Sequence, residues 1–335
     1  VYKRQLEWMV SDLAIMGFVG VNIGIDKAWQ LQDVCNTIDL LQADAIIYAD
    51  SKKETLEEIR HKYPVLICIS MKEDLPVMID KAREAAGEIR EELFDLLDKK
   101  KNPDACIRVV FTSGTTSFPK AVMLTERNIF SGLKSLTKRA PMNEQDVCYL
   151  FLPLHHTYAG IYNFIYSLIS GMKLYLCSGI SNIGRELMEV RPSVFCGVPL
   201  IYRRIYEAVD GDLTKLPYAF GGRIMYLFCG GAYLDEAIRK GYRQSGLNLM
   251  IAYALSETAS SFAIEYPDSS NYETVGRIYE DIEVKIHDRD GEILVKGDNV
   301  FIGYMNNEEA TTKSFDAEGF FHTGDIGYID SENNL

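Results

Sequence analysis

The stretch TSGTTSFPKAV, Thr112 to Val122, follows directly on the apolar run CIRVVF, and its reading decides the fold. Hydroxyls, a glycine, a proline and a lysine crowd the exit from what reads as a buried strand. Such small polar residues mark a turn. Gly114 can take backbone angles closed to other residues. Ser113, Thr115 and Thr116 offer hydroxyls beside exposed backbone N–H groups, and Lys120 adds a positive point charge. Together these suit a polyphosphate. A Walker A loop would need glycine at Pro119 and a hydroxyl at Ala121, so that motif is excluded. Read alone, the loop equally fits a flexible turn with a solvated lysine.

Around this loop the chain reads as an alternation of strands and helices. AIIYA, VLICI and CIRVVF are strand-like, with helical patterns in WQLQDVCNTIDLLQ, KETLEEIRHK and IDKAREAAGEIREELFDLLDKKK between or before them. KLYLC, SVFCGV, RIMYLFCG and NLMIAYAL repeat the scheme, separated by GRELMEV, IYRRIYEAV and DEAIRKGYRQSG. Strands spaced by such helices predict parallel pairing with right-handed crossovers. After about Pro267 the texture becomes IEVKIHD, a turn at Asp290-Gly291, and EILVKG, which predicts a small antiparallel barrel or sheet. The fold class is α/β, with two mostly parallel sheets, flanking helices and a small antiparallel β-barrel-like unit. The expected boundaries are residues 1–136, 137–266 and 267–335.

Composition narrows the functional classes. The 335 residues are 47% hydrophobic and 25% charged, as in ordinary soluble globular proteins. A net charge of −13 argues against non-specific binding to nucleic acid or anionic membrane. Seven cysteines without a CxxC pair read as buried thiols in a reducing cytoplasm, and the five histidines show no metal-ligand spacing. Val147 to Met172 holds no Asp, Glu, Lys or Arg, but Pro153, His155, His156 and Asn163 interrupt it. That predicts a strand, a loop and a core helix, not a membrane span. No motif speaks to oligomeric state or peripheral membrane contact.

Further motifs follow in order: FLPLHHTYAG, CGGAYL, YALSETA, GEILVKG with GYMNNEEAT, and FHTGDIGYID. With the first loop, this set resembles the adenylate-forming superfamily of acyl-CoA synthetases, luciferases and peptide-synthetase adenylation domains, whose phosphate loop is written (T/S)SGTTGxPKGV. The PLHHT segment most resembles long-chain fatty-acyl-CoA synthetases. The resemblance implies that Thr112, Ser113, Gly114, Thr115, Thr116 and Lys120 hold the phosphates of ATP. It places Tyr253 on adenine, Ser256 on phosphate, Glu257 on Mg²⁺, Gly230, Gly231 and Ala232 along the base, and Asp325 on the ribose hydroxyls. Taken alone, Ser256-Glu257 fits a helix start, Gly230-Gly231 a tight turn and the Gly-Asp pair a hairpin turn. His156, more than His155, takes the place beside the acid's carboxylate; two adjacent histidines at a strand end otherwise suit a surface or capping role. No acidic residue lies between Asp146 and Glu186 to meet a substrate ammonium, so an apolar acyl group is favoured over an amino acid.

The implied reaction activates a medium- or long-chain fatty acid with ATP to an acyl-adenylate, and coenzyme A then takes the acyl group. Transfer of an aryl or other acid to a carrier protein, and a degenerate nucleotide-binding module, are the alternatives. Ser117, Ala121, Ala252 and Ala254 stand where glycine is usual, each adding a Cβ. The chain opens inside helical patterning and stops after TGD, before the resemblance would place the hinge and small C-terminal domain. It therefore reads as a fragment with weak or no activity of its own.

Overall fold

The computed structural model describes residues 5–84, 102–112, 119–267, 269 and 271–335. Ser113, Gly114, Thr115 and Thr116 of the expected phosphate loop, Ser117 beside them, and the later part of the long charged helix lie outside these residues. The first third carries strands β1 (Asn22–Ile23), β2 (Ala45–Tyr48), β3 (Ile67–Ser70), β4 (Cys106–Phe111) and β5 (Ala121–Thr125). The middle carries β6 (Val147–Leu150), β7 (Lys173–Leu176), β8 (Val194–Gly197), β9 (Tyr226–Cys229), β10 (Leu249–Ala254) and β11 (Ser261–Ile264). The last part contributes β12 (Arg277–Ile278), β13 (Glu283–Ile286), β14 (Glu292–Lys296), β15 (Gly303–Tyr304) and β16 (Phe321–Ile326).

The large sheet has seven strands in the order β12-β11-β10-β9-β8-β6-β7. From β7 to β10 every pairing is parallel, while β11 and β12 join antiparallel. Helices Ile183–Val190, Pro199–Ala208 and Glu236–Gln244 supply the crossovers predicted from the pattern. Pro199 fits the first turn of its helix, where its missing N–H has no intrahelical acceptor. The Asp235 carboxylate accepts from Ala237 N at 2.9 Å and starts the next. The uncharged run divides as expected into β6, a loop and a buried helix, wound as a π-helix over Tyr158–Ile165. No helix among the described residues is long and apolar enough to cross a membrane.

The first sheet departs from the parallel expectation. Its order is β1-β4-β5-β15: β1 and β4 are parallel, but β4, β5 and β15 run antiparallel. Only nine residues part β4 from β5, too few for the crossover that a parallel pair needs. β4 therefore runs into an antiparallel neighbour, and the helix Glu126–Arg139 begins only after β5. β2 and β3 pair in parallel as a separate two-stranded sheet. The last part forms a three-stranded antiparallel sheet, β13-β14-β16, and lends β12 to the seven-stranded sheet and β15 to the four-stranded one.

A buried ion pair ties the opening helix Gln5–Ala14 to β4. Arg108 and Asp12 are both inaccessible, with Nη1 3.2 Å from Oδ2, and Asn22 also donates to Asp12. Arg108 Nη2 donates to Leu154 O at 3.0 Å, which fixes the loop just before His155. Burial pushes the Asp12 carboxyl up and the Arg108 guanidinium down, each opposed by the partner's charge. Removing one partner leaves a buried charge uncompensated. Asp12→Ala is expected to lower unfolding stability by about 3–5 kcal/mol, read from the urea midpoint; an unchanged midpoint would contradict this role.

Candidate active site

The hairpin β4–β5 is closed at its base by Thr112 N, which donates to Lys120 O at 3.1 Å. Lys120 is exposed, and its Nζ lies 4.6 Å from the centre of the Tyr304 ring. Tyr304 reaches this place because β15 pairs with β5, Tyr304 opposite Val122. Its hydroxyl donates to Glu257 Oε1 at 2.8 Å. Burial, then the Glu257 carboxylate, holds the Tyr304 phenol well above its ordinary range. Lys120, Tyr304 and Glu257 thus line one cleft of about 630 Å³, together with Glu292, Thr323 and Gly324.

Glu257 sits in a short 3-10 turn, Ser256–Thr258, immediately after β10. Its carbonyl accepts from Phe301 N at 2.7 Å. Ala259 closes the turn at φ 56°, a left-handed setting that costs of order 1–3 kcal/mol outside glycine and recurs at functional sites.

Tyr253, near the end of β10, donates through its hydroxyl to Asp325 Oδ2 at 2.6 Å. Burial first, and Asp325 second, raises the Tyr253 phenol. Asp325 lies within β16 at a register shift, not in a hairpin turn. Its strand is pinned by Glu292, whose Oε1 accepts from Gly324 N at 2.8 Å and whose Oε2 lies 2.7 Å from His322 Nδ1. Gly230, Gly231 and Ala232 follow β9, and the register Cys229 to Ile251 sets them beside Ala252 and Tyr253. A Cβ on Gly230 would lie 3.3 Å from Ala252 O and 3.8 Å from the Tyr158 ring, so the close approach favours glycine. Ala121 and Ala252 are buried core positions, Ala121 with Val109 and Phe111, so their methyl groups pack inward. Ala254 is exposed at the β10–β11 register shift.

His156 is placed elsewhere. Its ring centre is 4.1 Å from that of His155, and His155 Nε2 lies 3.5 Å from Asp26 Oδ2. Burial, with His156 beside it, pulls the His155 imidazole down to about 4. Burial also lowers His156, against the pull of Asp26. Both rings are neutral near pH 7. Among the described residues, no hydrogen bond or ring contact joins His156 to the cleft of Lys120 and Glu257.

The family model described as AMP-binding enzyme matches residues 1–305. The chain belongs to that family. A long-chain-fatty-acid–CoA ligase of Mycobacterium bovis is 26% identical over 99% of this chain and 63% of its own length. A malonate–CoA ligase of Arabidopsis thaliana is 25% identical, over 99% of this chain and 57% of its own. The ATP-bound crystal structure of MatB from Rhodopseudomonas palustris superposes with a TM-score of 0.82 at 23% identity, covering 98% of this chain and 65% of that one. The AMP complex of o-succinylbenzoate coenzyme A synthetase from Bacillus subtilis gives 0.77 at 22%, covering 99% of this chain and 66% of that one. The chain therefore has the fold of the large N-terminal part of adenylate-forming enzymes and spans somewhat under two thirds of these ligases.

Sequence reasoning assigned no role to Tyr304 or Glu292, although both fall in quoted motifs, GYMNNEEAT and GEILVKG. Glu292 is signalled by a carboxylate opening an apolar strand pattern, whereas Tyr304 sits in a two-residue strand that gives no pattern. Tyr304→Phe keeps the ring under Lys120 but removes the donor to buried Glu257. A loss of about 1–3 kcal/mol in unfolding free energy is expected, measured by denaturant titration; a neutral result would mean that Glu257 finds another donor.

Proposed function

We propose that this chain supplies the ATP- and acid-binding part of an AMP-forming acid–coenzyme A ligase whose acid is a medium- or long-chain fatty acid. The observation that carries the proposal is convergence. Lys120, Glu257 and Gly324 line one cleft, and Tyr253 grips Asp325, the residue next to Gly324. Three motifs far apart in sequence thus meet at a space of nucleotide size.

In this reading the acid's carboxylate oxygen bonds to the α-phosphorus of ATP as the bond to the β-phosphate oxygen breaks, releasing pyrophosphate. The coenzyme A thiolate then attacks the acyl carbon and AMP leaves. The protein's part is positioning and charge stabilisation. Thr112, Lys120 and the Ser113–Thr116 loop hold the phosphates, with Ser256 beside them. Tyr253 and the strip Gly230, Gly231 and Ala232 bracket adenine, and Asp325 accepts from the ribose hydroxyls. Glu257 offers one hard carboxylate, the donor type that holds Mg²⁺ together with phosphate oxygens, and the ion would neutralise charge on the phosphates. His156, neutral near pH 7, can donate one N–H to the acid's carboxylate.

The relatives' names span fatty acids and malonate, so the acid decides the test. ATP–pyrophosphate exchange and thioester formation are measured on the full-length ligase that contains this chain, with fatty acids of rising chain length, malonate, aryl acids and amino acids. The longer fatty acids are expected to give both signals. Exchange with amino acids alone, or ATP binding without pyrophosphate release, would overturn the reading, the latter in favour of a nucleotide-binding module. Glu257→Gln is expected to reduce exchange by roughly 10²–10³-fold, with ATP binding weakened far less.

A further inference from the structure

The chemistry above leaves Asp26 and His155 without a role, yet both are held in place with care. Asp26 Oδ1 accepts from Ala28 N at 2.8 Å, which turns Oδ2 toward His155. The loop of Gly24 lies against His155 so closely that a Cβ on Gly24 would sit 3.0 Å from the His155 Cα. On the other side, Arg108 fixes Leu154 O, and His156 N donates to Pro153 O at 3.2 Å. Two loops distant in sequence are thereby clamped together with three ligand-type side chains between them.

We propose that Asp26, His155 and His156 bind one divalent first-row transition-metal ion, such as zinc. One ligand atom from each residue lies within 4.8 Å of the others. Tetrahedral zinc, with bonds of about 2.0–2.1 Å, sets neighbouring ligand atoms roughly 3.3–3.5 Å apart. The His155 Nε2 to Asp26 Oδ2 separation, 3.5 Å, is already of that size. The same Nε2 is buried and makes no hydrogen bond, a cost that an ion between the two groups removes. Two imidazoles and one carboxylate select zinc, cobalt or nickel over magnesium, and three protein ligands leave a fourth position open. Of the nearby cations, Arg108 has its charge matched by Asp12, and Lys27 acts on His155. This site is separate from Glu257 and does not depend on the ligase reading. One consequence does: an ion held by one nitrogen of His156 leaves the other with the N–H assigned above to the acid.

The test is titration of the metal-free protein with cobalt(II), followed by visible absorption. One equivalent is expected to give a four-coordinate ligand-field band without a thiolate charge-transfer band, and zinc should abolish it. Asp26→Asn and His155→Gln should each lose the band while keeping the circular dichroism of the parent. No cobalt uptake, a thiolate band, or a band that survives both variants would overturn the proposal. Should a variant unfold, zinc titration of the unsubstituted protein by NMR decides: ring signals of two of the five histidines should shift, those of His155 and His156. Shifts confined to the other three would refute it.

Discussion

The pairing of β15 with β5 is the constraint on which the site depends. Only Gly303 and Tyr304 form this strand, opposite Met123 and Val122, and two residues cannot hold a register unaided. The neighbouring segment holds it instead. Asn128 donates to the carbonyls of Asp298 and Val300 at 2.9 and 2.8 Å, and Phe301 N reaches Glu257 O. Ile302 N and Met305 N continue to Met123 O and Ala121 O. Gly303 adopts φ 138°, and a Cβ there would lie 2.8 Å from Thr311 Cγ2, so the approach requires glycine. Every one of these bonds positions the Tyr304 hydroxyl against Glu257 and its ring beneath Lys120.

That arrangement explains which parts of the fold are legible in the sequence. The large sheet is readable because β6 is followed by an uncharged helical run and each of β7 to β9 by a helix with an apolar face, and a crossover of that length suits parallel pairing. The first sheet is not readable in the same way. A loop rich in serine and threonine followed by a helical pattern looks like a strand-to-helix turn, and the five residues of β5 between them carry no strong strand signal of their own. β15 is shorter still, and its partner lies about 180 residues away in sequence. Periodicity reports local faces, not distant partners.

The same distinction holds for the site. Lys120, Glu257, Tyr253 and Asp325 were legible because they sit in motifs whose order and spacing are distinctive. The contacts that unite them were not. The bond from Tyr253 to Asp325 crosses 72 residues and that from Tyr304 to Glu257 crosses 47. His156 was legible as a residue but not in its setting: Asp26, which faces the pair, lies in a stretch that no motif marks.

The two halves of the proposed reaction are also mechanically joined, through Tyr158. Its hydroxyl donates to Phe228 O at 2.8 Å and lies 3.2 Å from Gly197 O, spanning the ends of β8 and β9. It opens the π-wound helix that follows the histidine loop, so the position of His156 is set from the same strand ends that carry Gly230 and Gly231. The ring of Tyr158 in turn occupies the space beside Gly230 where a side chain would project. A bulky residue at Gly230 would therefore do more than crowd the proposed nucleotide site. It would press on Tyr158, and through the helix it opens, shift the imidazoles some residues upstream. Glycine at that one strand end keeps the end of β9 and the histidine loop in a single register, because packed interiors transmit a displacement and do not absorb it.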